Sequence, residues 1–432
     1  VARRRLRRRA LAFDPEPGLT EAAIATVLLI GTLDTKGAEY AYVAERIRSA
    51  GHEILVMDLG VLSDPPFVPD VPAREVARAG GGDLDELRRT HDRGRAVGTM
   101  LAGACRLVPA LYAGGRFQGV LGMGGGGGTA MITAAMRTLP VGVPKIMVST
   151  MASGETSQYV DVKDIAMMYS VVDIAGLNPL SKAILSNAAH AVSGMVGHGA
   201  PEDRQDRPMI AATMFGVTTP CVTAVREALE GAGFDVLVFH ATGSGGRAME
   251  GLIDDGYFSA VVDITTTEWA DEVVGGVLSA GPGRLSAAGR RGIPQVVSVG
   301  ALDMVNFGAP ATVPARFADR RLYHHNPSVT LMRTTPEECR EIGRRIAAQL
   351  NGAEGPSVLV LPLKGVSMID APGEPFHDPR ADAELFDSLR ESVDDGIEVV
   401  EADRHINDPE FATLVVDQTL RLLGTSLETG RS

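Results

Sequence analysis

Three strings in the N-terminal half of the 432-residue sequence combine glycine with hydroxyl or charged side chains directly after an apolar run. The first, GTLDTKG (31–37), has Gly31 and Gly37 for a tight turn, and hydroxyls at Thr32 and Thr35. Its Asp34 can hold a metal and its Lys36 can meet a phosphate. It is not a Walker A loop, which needs glycine, four residues and then Gly-Lys-Ser/Thr. An N-capped helix start is its plainer reading.

The second, GMGGGGGTAM (122–131), runs through Gly124, Gly125, Gly126, Gly127 and Gly128 to Thr129. Each of these glycines loses much backbone entropy on folding. That cost makes sense where backbone N–H groups approach a bulky anion at a helix N-terminus. Gly122, Gly124 and Gly127 match GxGxxG, but the dinucleotide fingerprint also needs an acid about 20 residues on, at the end of the next strand. That strand, KIMVST, ends in Ser149 and Thr150. Generic phosphate binding survives this test and NAD is not expected; a glycine linker is the alternative. The third string, VSTMASGETSQYVDVKD (148–164), supplies Ser149, Thr150, Ser153 and Gly154, a set that suits phosphate or ribose.

The second half has similar material. FGVTTPC (215–221) carries Thr218, and HATGSGGRAME (240–250) carries Thr242, Gly243, Gly245, Gly246 and Arg247 before a helix. DITTTEWADEVVGG (263–276) carries Asp263, Thr265, Thr266, Thr267 and Glu268. Cys221 stands at a helix start, where the dipole lowers a thiol pKa, although no histidine is near and a buried structural cysteine is the better reading. Near the C-terminus, Asp370, His377 and Asp378 form a reserve set for acid–base or metal chemistry. Their spacing matches no metal signature, and Asp378-Pro379 also reads as a turn and helix start. No nucleophile–base pair is legible, so whether the chain is an enzyme stays open.

The elements that must position these loops alternate. TVLLIGT (26–32), EILVMDLG (53–60), QGVLGM (118–123) and PKIMVST are strands with amphipathic helices between them. The pattern restarts at PMIAATMFG and continues through FDVLVFHATG, SAVVDITTT, IPQVVSVG and GPSVLVLPLKG. Such alternation implies parallel βαβ units. The expected fold is therefore α/β, with two Rossmann-like three-layer (αβα) subdomains whose mainly parallel sheets face a central cleft. The subdomains are placed at 23–197 and 208–427, with the polar VGHGAPEDRQDRP (196–208) as linker. RIRSAGHEILVMD (46–58) lies over ALEGAGFDVLVFH (228–240) without a gap, as an internal duplication or shared βαβ grammar would give. In parallel sheets of this kind ligands sit beyond the carboxyl ends of the strands, where these loops fall.

A net charge of −13 argues against a nucleic-acid-binding surface. No apolar run reaches the roughly 18–20 uncharged residues of a membrane helix. Residues 1–22, with six arginines among the first nine, lack the apolar stretch of a secretory signal and are expected to be a disordered basic leader. Three scattered cysteines fit a reducing, cytoplasmic setting and give neither a disulfide framework nor a zinc site. Nothing suggests haem.

The strings GTLDTKGAEY, GMGGGGGTAM, PKIMVSTMASGE, MMYSVVDIAGLN, FGVTTPCV, VFHATGSGGRAME, DITTTE, PQVVSVGALDMVNFG, HNPSVTLMRTT and GVSMIDAPGEPFHDP together resemble one family. It is the family of bacterial and fungal proteins of unknown function that includes the N-terminal, ATP-binding region of the plant tobamovirus-resistance inhibitor. The resemblance covers residues 26 to about 425. It implies two Rossmann-like subdomains, a tendency to form homodimers, and ATP binding, to which the loops add Mg²⁺. Plant members continue into a TIM-barrel domain, so a separate barrel protein is a conceivable partner. Three functions follow as expectations: a nucleotide-binding protein, an enzyme acting on a small phosphorylated or carboxylated metabolite in the interdomain cleft, or a non-catalytic subunit of a barrel enzyme.

Overall fold

The structure is a computed structural model and describes residues 23–198 and 207–424. The arginine-rich leader and most of the stretch read as a linker lie outside the described residues. The chain divides into two compact units, residues 1–203 and 204–432.

In the first unit β1 (Thr26–Gly31) leads through α1 (Leu33–Ser49) to β2 (Glu53–Asp58). Three helices, α2 (Ala73–Ala79), α3 (Leu84–Thr90) and α4 (Arg93–Ala113), connect β2 to β3 (Gly119–Gly124). Then follow α5 (Gly126–Arg137), β4 (Lys145–Ser149), the short α6 (Ser157–Val160), β5 (Ala166–Tyr169) and α7 (Pro179–His198). The sheet order is β2-β1-β3-β4-β5, and every pairing is parallel. Central β3 is buried along its whole length, as the unbroken apolar string of a strand covered on both faces requires.

Two cores lie on the two faces of this sheet. Tyr40, Val43, Ala44 and Ile47 form the inner stripe of α1 and pack with Leu185, Ala188 and Val192 of α7. On the other face Val76, Leu87, Met100, Ala104, Ile132 and Met136 bring α2 to α5 together. Among the described residues α4 alone has the length and apolar composition to cross a bilayer. Here its buried stripe, Ala96, Met100, Ala104 and Val108, belongs to this core.

The second unit repeats the plan with additions. It runs β6 (Met209–Met214), α8 (Thr219–Gly231), β7 (Asp235–His240), α9 (Ser244–Asp254), β8 (Ala260–Thr265), α10 (Glu268–Val274), α11 (Ala287–Arg291) and β9 (Gln295–Gly300). An excursion of β10 (Met304–Phe307), β11 (Leu322–Asn326), β12 (Val329–Arg333) and α12 (Pro336–Asn351) precedes β13 (Ser357–Pro362), α13 (Pro379–Ser392), β14 (Glu398–Ala402) and α14 (Pro409–Leu422). The main sheet, β14-β13-β9-β8-β6-β7, is again parallel throughout.

Counted within the unit, its first four strands lie in the order 2-1-3-4, as in the first unit. The duplicated strings occupy matching places: residues 46–58 close α1 and form β2, and residues 228–240 close α8 and form β7. GALDMVNFG and HHNPSVT contribute to a three-stranded antiparallel sheet, β10-β12-β11. Strands of four and five residues joined to long connections leave too short a periodic signal to separate from loop.

Candidate functional site

The order β2-β1-β3 makes the carboxyl ends of β1 and β3 a switch point. From β1 the chain turns onto the face of α1 and α7, and from β3 it turns onto the face of α4 and α5. The two connections splay apart and leave a crevice, the usual ligand position in this topology. A cavity of about 550 Å³ lies there, lined by both predicted loops. Thr32, Asp34, Thr35 and Lys36 come from the first string, and Gly125, Gly126, Gly127 and Gly128 from the second.

Tyr40 holds the crevice open at its base. Its hydroxyl accepts from the Met123 amide at 2.8 Å and shares its proton between the carbonyls of Ile30 (2.6 Å) and Met123 (3.0 Å). The β1–β3 register ends at Ile30 opposite Gly122, so the phenol bridges the strands where their direct pairing stops. Gly31 belongs to the same construction, because a Cβ there would lie 1.8 Å from the Tyr40 oxygen. Gly37 likewise admits Pro66, whose Cγ would sit 2.3 Å from an added Cβ.

On the glycine side Gly125 is the N-cap of α5 and no side chain caps the helix. The amides of Gly126, Gly127 and Gly128 fall in the first turn, where no intrahelical acceptor exists. A Cβ at Gly126 or Gly127 would meet nothing closer than 3.8 Å, so space, not packing, explains these two glycines. Thr129 and Ser149 are buried and bonded to each other at 2.6 Å, which ties the loop to β4. Thr150 approaches Gly125, while Ser153 and Gly154 are exposed in a turn away from the lining.

On the opposite side Thr32 and Thr35 share a hydroxyl–hydroxyl bond of 3.0 Å. The Lys36 ammonium donates to the Ile174 carbonyl at 2.6 Å, and its backbone (φ −131°, ψ 21°) kinks α1. Asp34 takes the Leu62 amide on one carboxylate oxygen at 2.7 Å, and its other oxygen, buried, has no hydrogen-bond partner among the described residues. Asp58, at the end of β2, accepts from the amides of Leu33 (3.0 Å) and Gly60 (2.8 Å). Burial pushes its carboxyl up to about 6, and the Asp34 charge adds to the rise.

Sequence reading did not single out the α3–α4 connection as part of a site. His91 stops α3 in a left-handed conformation (φ 52°), and Asp92 caps α4 by accepting from Arg95 N–H. This break sends Arg93 over the glycine loop, its guanidinium 3.8 Å from where a Cβ on Gly127 would stand. The Asp-Arg-Gly-Arg string after a histidine was the available signal. Leu59, Val61, Leu87, Val97, Met100 and Met131 give the cavity an apolar wall.

The corresponding loops of the second unit are filled by the chain itself. Glu268 accepts from the amides of Gly243 (2.7 Å) and Gly246 (3.1 Å), the groups that would otherwise greet an anion. Arg284 runs to Glu268 at 2.6 Å, to Asp263 through two bonds of 2.5 and 2.7 Å, and to Glu250 at 3.3 Å. Thr218 bonds Thr265 at 2.7 Å, Thr266 bonds the Ser298 carbonyl, and the buried Thr267 hydroxyl has no hydrogen-bond partner among the described residues. A Cβ on Gly245 would strike the His240 carbonyl oxygen at 1.9 Å. Thr242 bonds the His240 carbonyl, and Arg247 the Ser279 carbonyl.

Of the reserve set, Asp370 and the Asp378 carbonyl lie 3.5 and 3.4 Å from one guanidinium nitrogen of Arg333. Asp370 is fully buried beside Arg333, and His377 is half-buried. Asp378 caps α13 by accepting from the Ala381 amide. Burial pushes the Cys221 thiol up to about 12, so it stays neutral.

Comparison with known proteins matches this two-unit architecture. Residues 25–201 match the N-terminal domain, and residues 207–423 the C-terminal domain, of the uncharacterised protein family UPF0261. A UPF0261 protein of Clostridium tetani is 51% identical over 92% of this chain and 98% of its own length. One of Rhizobium meliloti is 51% identical over 90% of this chain and 97% of its own. The tomato ToMV susceptible protein tm-1(GCR26) is 40% identical over 92% of this chain, which spans 55% of the tomato protein. The chain belongs to the uncharacterised protein family UPF0261.

Proposed function

We propose that the chain is a nucleotide-binding protein that takes ATP, with Mg²⁺, in the switch-point cavity of its first unit. The observation that carries this reading is the convergence of two separate loops on one cavity, one of them with uncapped helix-start amides and open space above its glycines. The amides of Gly126 to Gly128 would donate to phosphate oxygens at the positive end of the α5 dipole. Arg93 and Lys36 would add full positive charge. The apolar wall from Leu59 to Met131 would cover the flat face of the base. The unpartnered oxygen of Asp34 fits a Mg²⁺ bridging to phosphate, since Mg²⁺ is commonly held by one or two carboxylates plus the substrate's own oxygens.

At the corresponding loop of the second unit Glu268 already lies on the Gly243 and Gly246 amides. The reading is therefore one nucleotide per chain. Its three cysteines are all free thiols, which suits the cytoplasm, where ATP is abundant.

Titration calorimetry with Mg-ATP tests the proposal, alongside thermal shifts against other nucleotides, sugar phosphates and carboxylic acids. ATP at about 100 times its dissociation constant adds about 2.7 kcal/mol to stability. Gly126→Asp places a carboxylate in the open space above the loop and is expected to abolish binding while the melting temperature of the free protein holds. Absence of heat and of any shift at millimolar ATP overturns the reading. A shift with a phosphorylated or carboxylated metabolite alone would replace ATP with that ligand class.

A further inference from the structure

Lys36 lines the cavity, and among the described residues its ammonium has no carboxylate partner. Its hydrogen bond to the Ile174 carbonyl, at 2.6 Å, leaves two of the three ammonium protons for other acceptors. A carbonyl oxygen is neutral, so it orients the ammonium without cancelling the charge. A carboxylate in that place would orient it and neutralise it. Lysine has much rotamer freedom to lose when it takes an anion, and a side chain already held loses less of it. Lys36 therefore meets a phosphate both charged and arranged in advance.

The Ile174 carbonyl belongs to the connection between β5 and α7, residues 170–178, no part of which lines the cavity. This connection carries most of MMYSVVDIAGLN, one of the strings on which the family resemblance rests. From Val171 to Leu180 every residue except Ile174 is exposed, and Ile174 packs into the core with Leu33 and Leu185. Val171 is β-branched and left-handed (φ 62°), a conformation that costs energy. A connection so little buried needs further ties to keep one carbonyl in place.

Glu39 supplies such a tie. It is 2% exposed and stands three residues after Lys36 on the same helix. Its carboxylate accepts from the Gly176 amide at 2.6 Å. Two residues of α1 thus grip the connection at points two residues apart. Lys36 donates to the carbonyl of Ile174, and Glu39 accepts from the amide of Gly176.

We propose that Glu39 is a positioning residue for the nucleotide: it fixes the 170–178 connection, whose Ile174 carbonyl aims the Lys36 ammonium at the phosphates. The inference rests on the nucleotide reading of the cavity and extends that site to a buried carboxylate outside the cavity wall. Without the Gly176 bond the carbonyl is free to move, and Lys36 moves with it. The ordering of Lys36 is then left to the binding step, and affinity falls.

A double-mutant cycle read by titration calorimetry with Mg-ATP tests this. Glu39→Ala is expected to weaken binding about fivefold, at the low end of ordinary coupling between sites, and Lys36→Met to weaken it by more. In the Lys36→Met background Glu39→Ala is expected to change affinity no further, because the group it positions has gone. Glu39→Gln, which keeps an oxygen for the Gly176 amide, is expected to recover most of the lost affinity. If Glu39→Ala does not fold, Glu39→Asp, with its oxygen drawn back by one methylene, takes its place in the cycle. No heat from the wild-type chain overturns the nucleotide reading and this proposal together. Heat from the wild type, with a Glu39→Ala effect equal in both backgrounds or absent from both, overturns this proposal alone.

Discussion

The Tyr40 hydroxyl accepts a hydrogen bond from the Met123 amide at 2.8 Å, and through it the first turns of α1 are fixed to the end of β3. These two residues stand 83 positions apart, one on the helix that follows β1 and the other near the end of β3. The phenol does the work of a ladder bond at the place where the ladder must stop for a cavity to exist. Burial holds its proton above the ordinary phenol range, so the bridge is neutral across the physiological range.

Tyr40→Phe is expected to cost about 1–3 kcal/mol, the range for leaving a buried donor without its acceptor. Because the lost bond lies under the cavity, nucleotide affinity should fall with stability. Gly31→Ala should cost more, since its methyl would overlap the ring of Tyr40. Urea unfolding of both variants checks the order. An unchanged Tyr40→Phe midpoint would remove the bridge from the account.

Arg93→Ala separates binding from folding. The side chain is exposed and has no ion pair among the described residues, so stability should move by no more than about 0.5 kcal/mol. Affinity for Mg-ATP should fall about tenfold, and the remaining affinity should depend less on salt, because a screened charge contact has gone. Calorimetry at two salt concentrations gives the answer. Equal affinity in the variant would place the phosphates away from Arg93.

How much of this was legible depended on whether a residue's role was local. The glycine run and GTLDTKG announced themselves because strand, loop and helix start are contiguous in sequence, and their convergence follows from parallel topology. Arg93 was not legible, because its place is set by His91 turning left-handed in the middle of an apparently helical segment. Nor was the closure of the second unit's loops. HATGSGGR reads like an anion cradle, and only the fold brings Glu268 onto its amides from 22 residues away. Asp370 looked like chemistry for the opposite reason: a polar residue in a glycine–proline loop gives no sign that it will be fully buried.

Arg284 and Glu268 make the second unit's plug, and they should respond unequally. Arg284→Met strands three carboxylates, Asp263, Glu268 and Glu250, and should cost about 3–5 kcal/mol. Glu268→Gln keeps an acceptor for the Gly243 and Gly246 amides and leaves Arg284 with two acids, so its cost should be smaller. Chemical denaturation of both variants measures the difference. Equal costs would mean that the guanidinium–Glu268 bond alone carries the cluster.

The last prediction concerns pH. Asp303, Asp370 and Asp382 surround Arg333, so three buried acids share one guanidinium. Burial pushes Asp370 and Asp382 up to about 7 and Asp303 up to about 6, from an ordinary value of 3.8. Between those limits the folded chain holds protons that the unfolded chain has released. Stability from this cluster is therefore full below about pH 4 and is lost as pH rises toward 7, by about 1.4 kcal/mol per pH unit for each proton held. Asp370→Asn removes one titrating acid and keeps an acceptor for the Val366 amide. The variant should gain on the wild type from about pH 4 to pH 7 in urea midpoints and level off above that. Parallel curves for the two proteins would show that Asp370 is ionised in the folded chain throughout, with Arg333 holding its charge against the cost of burial.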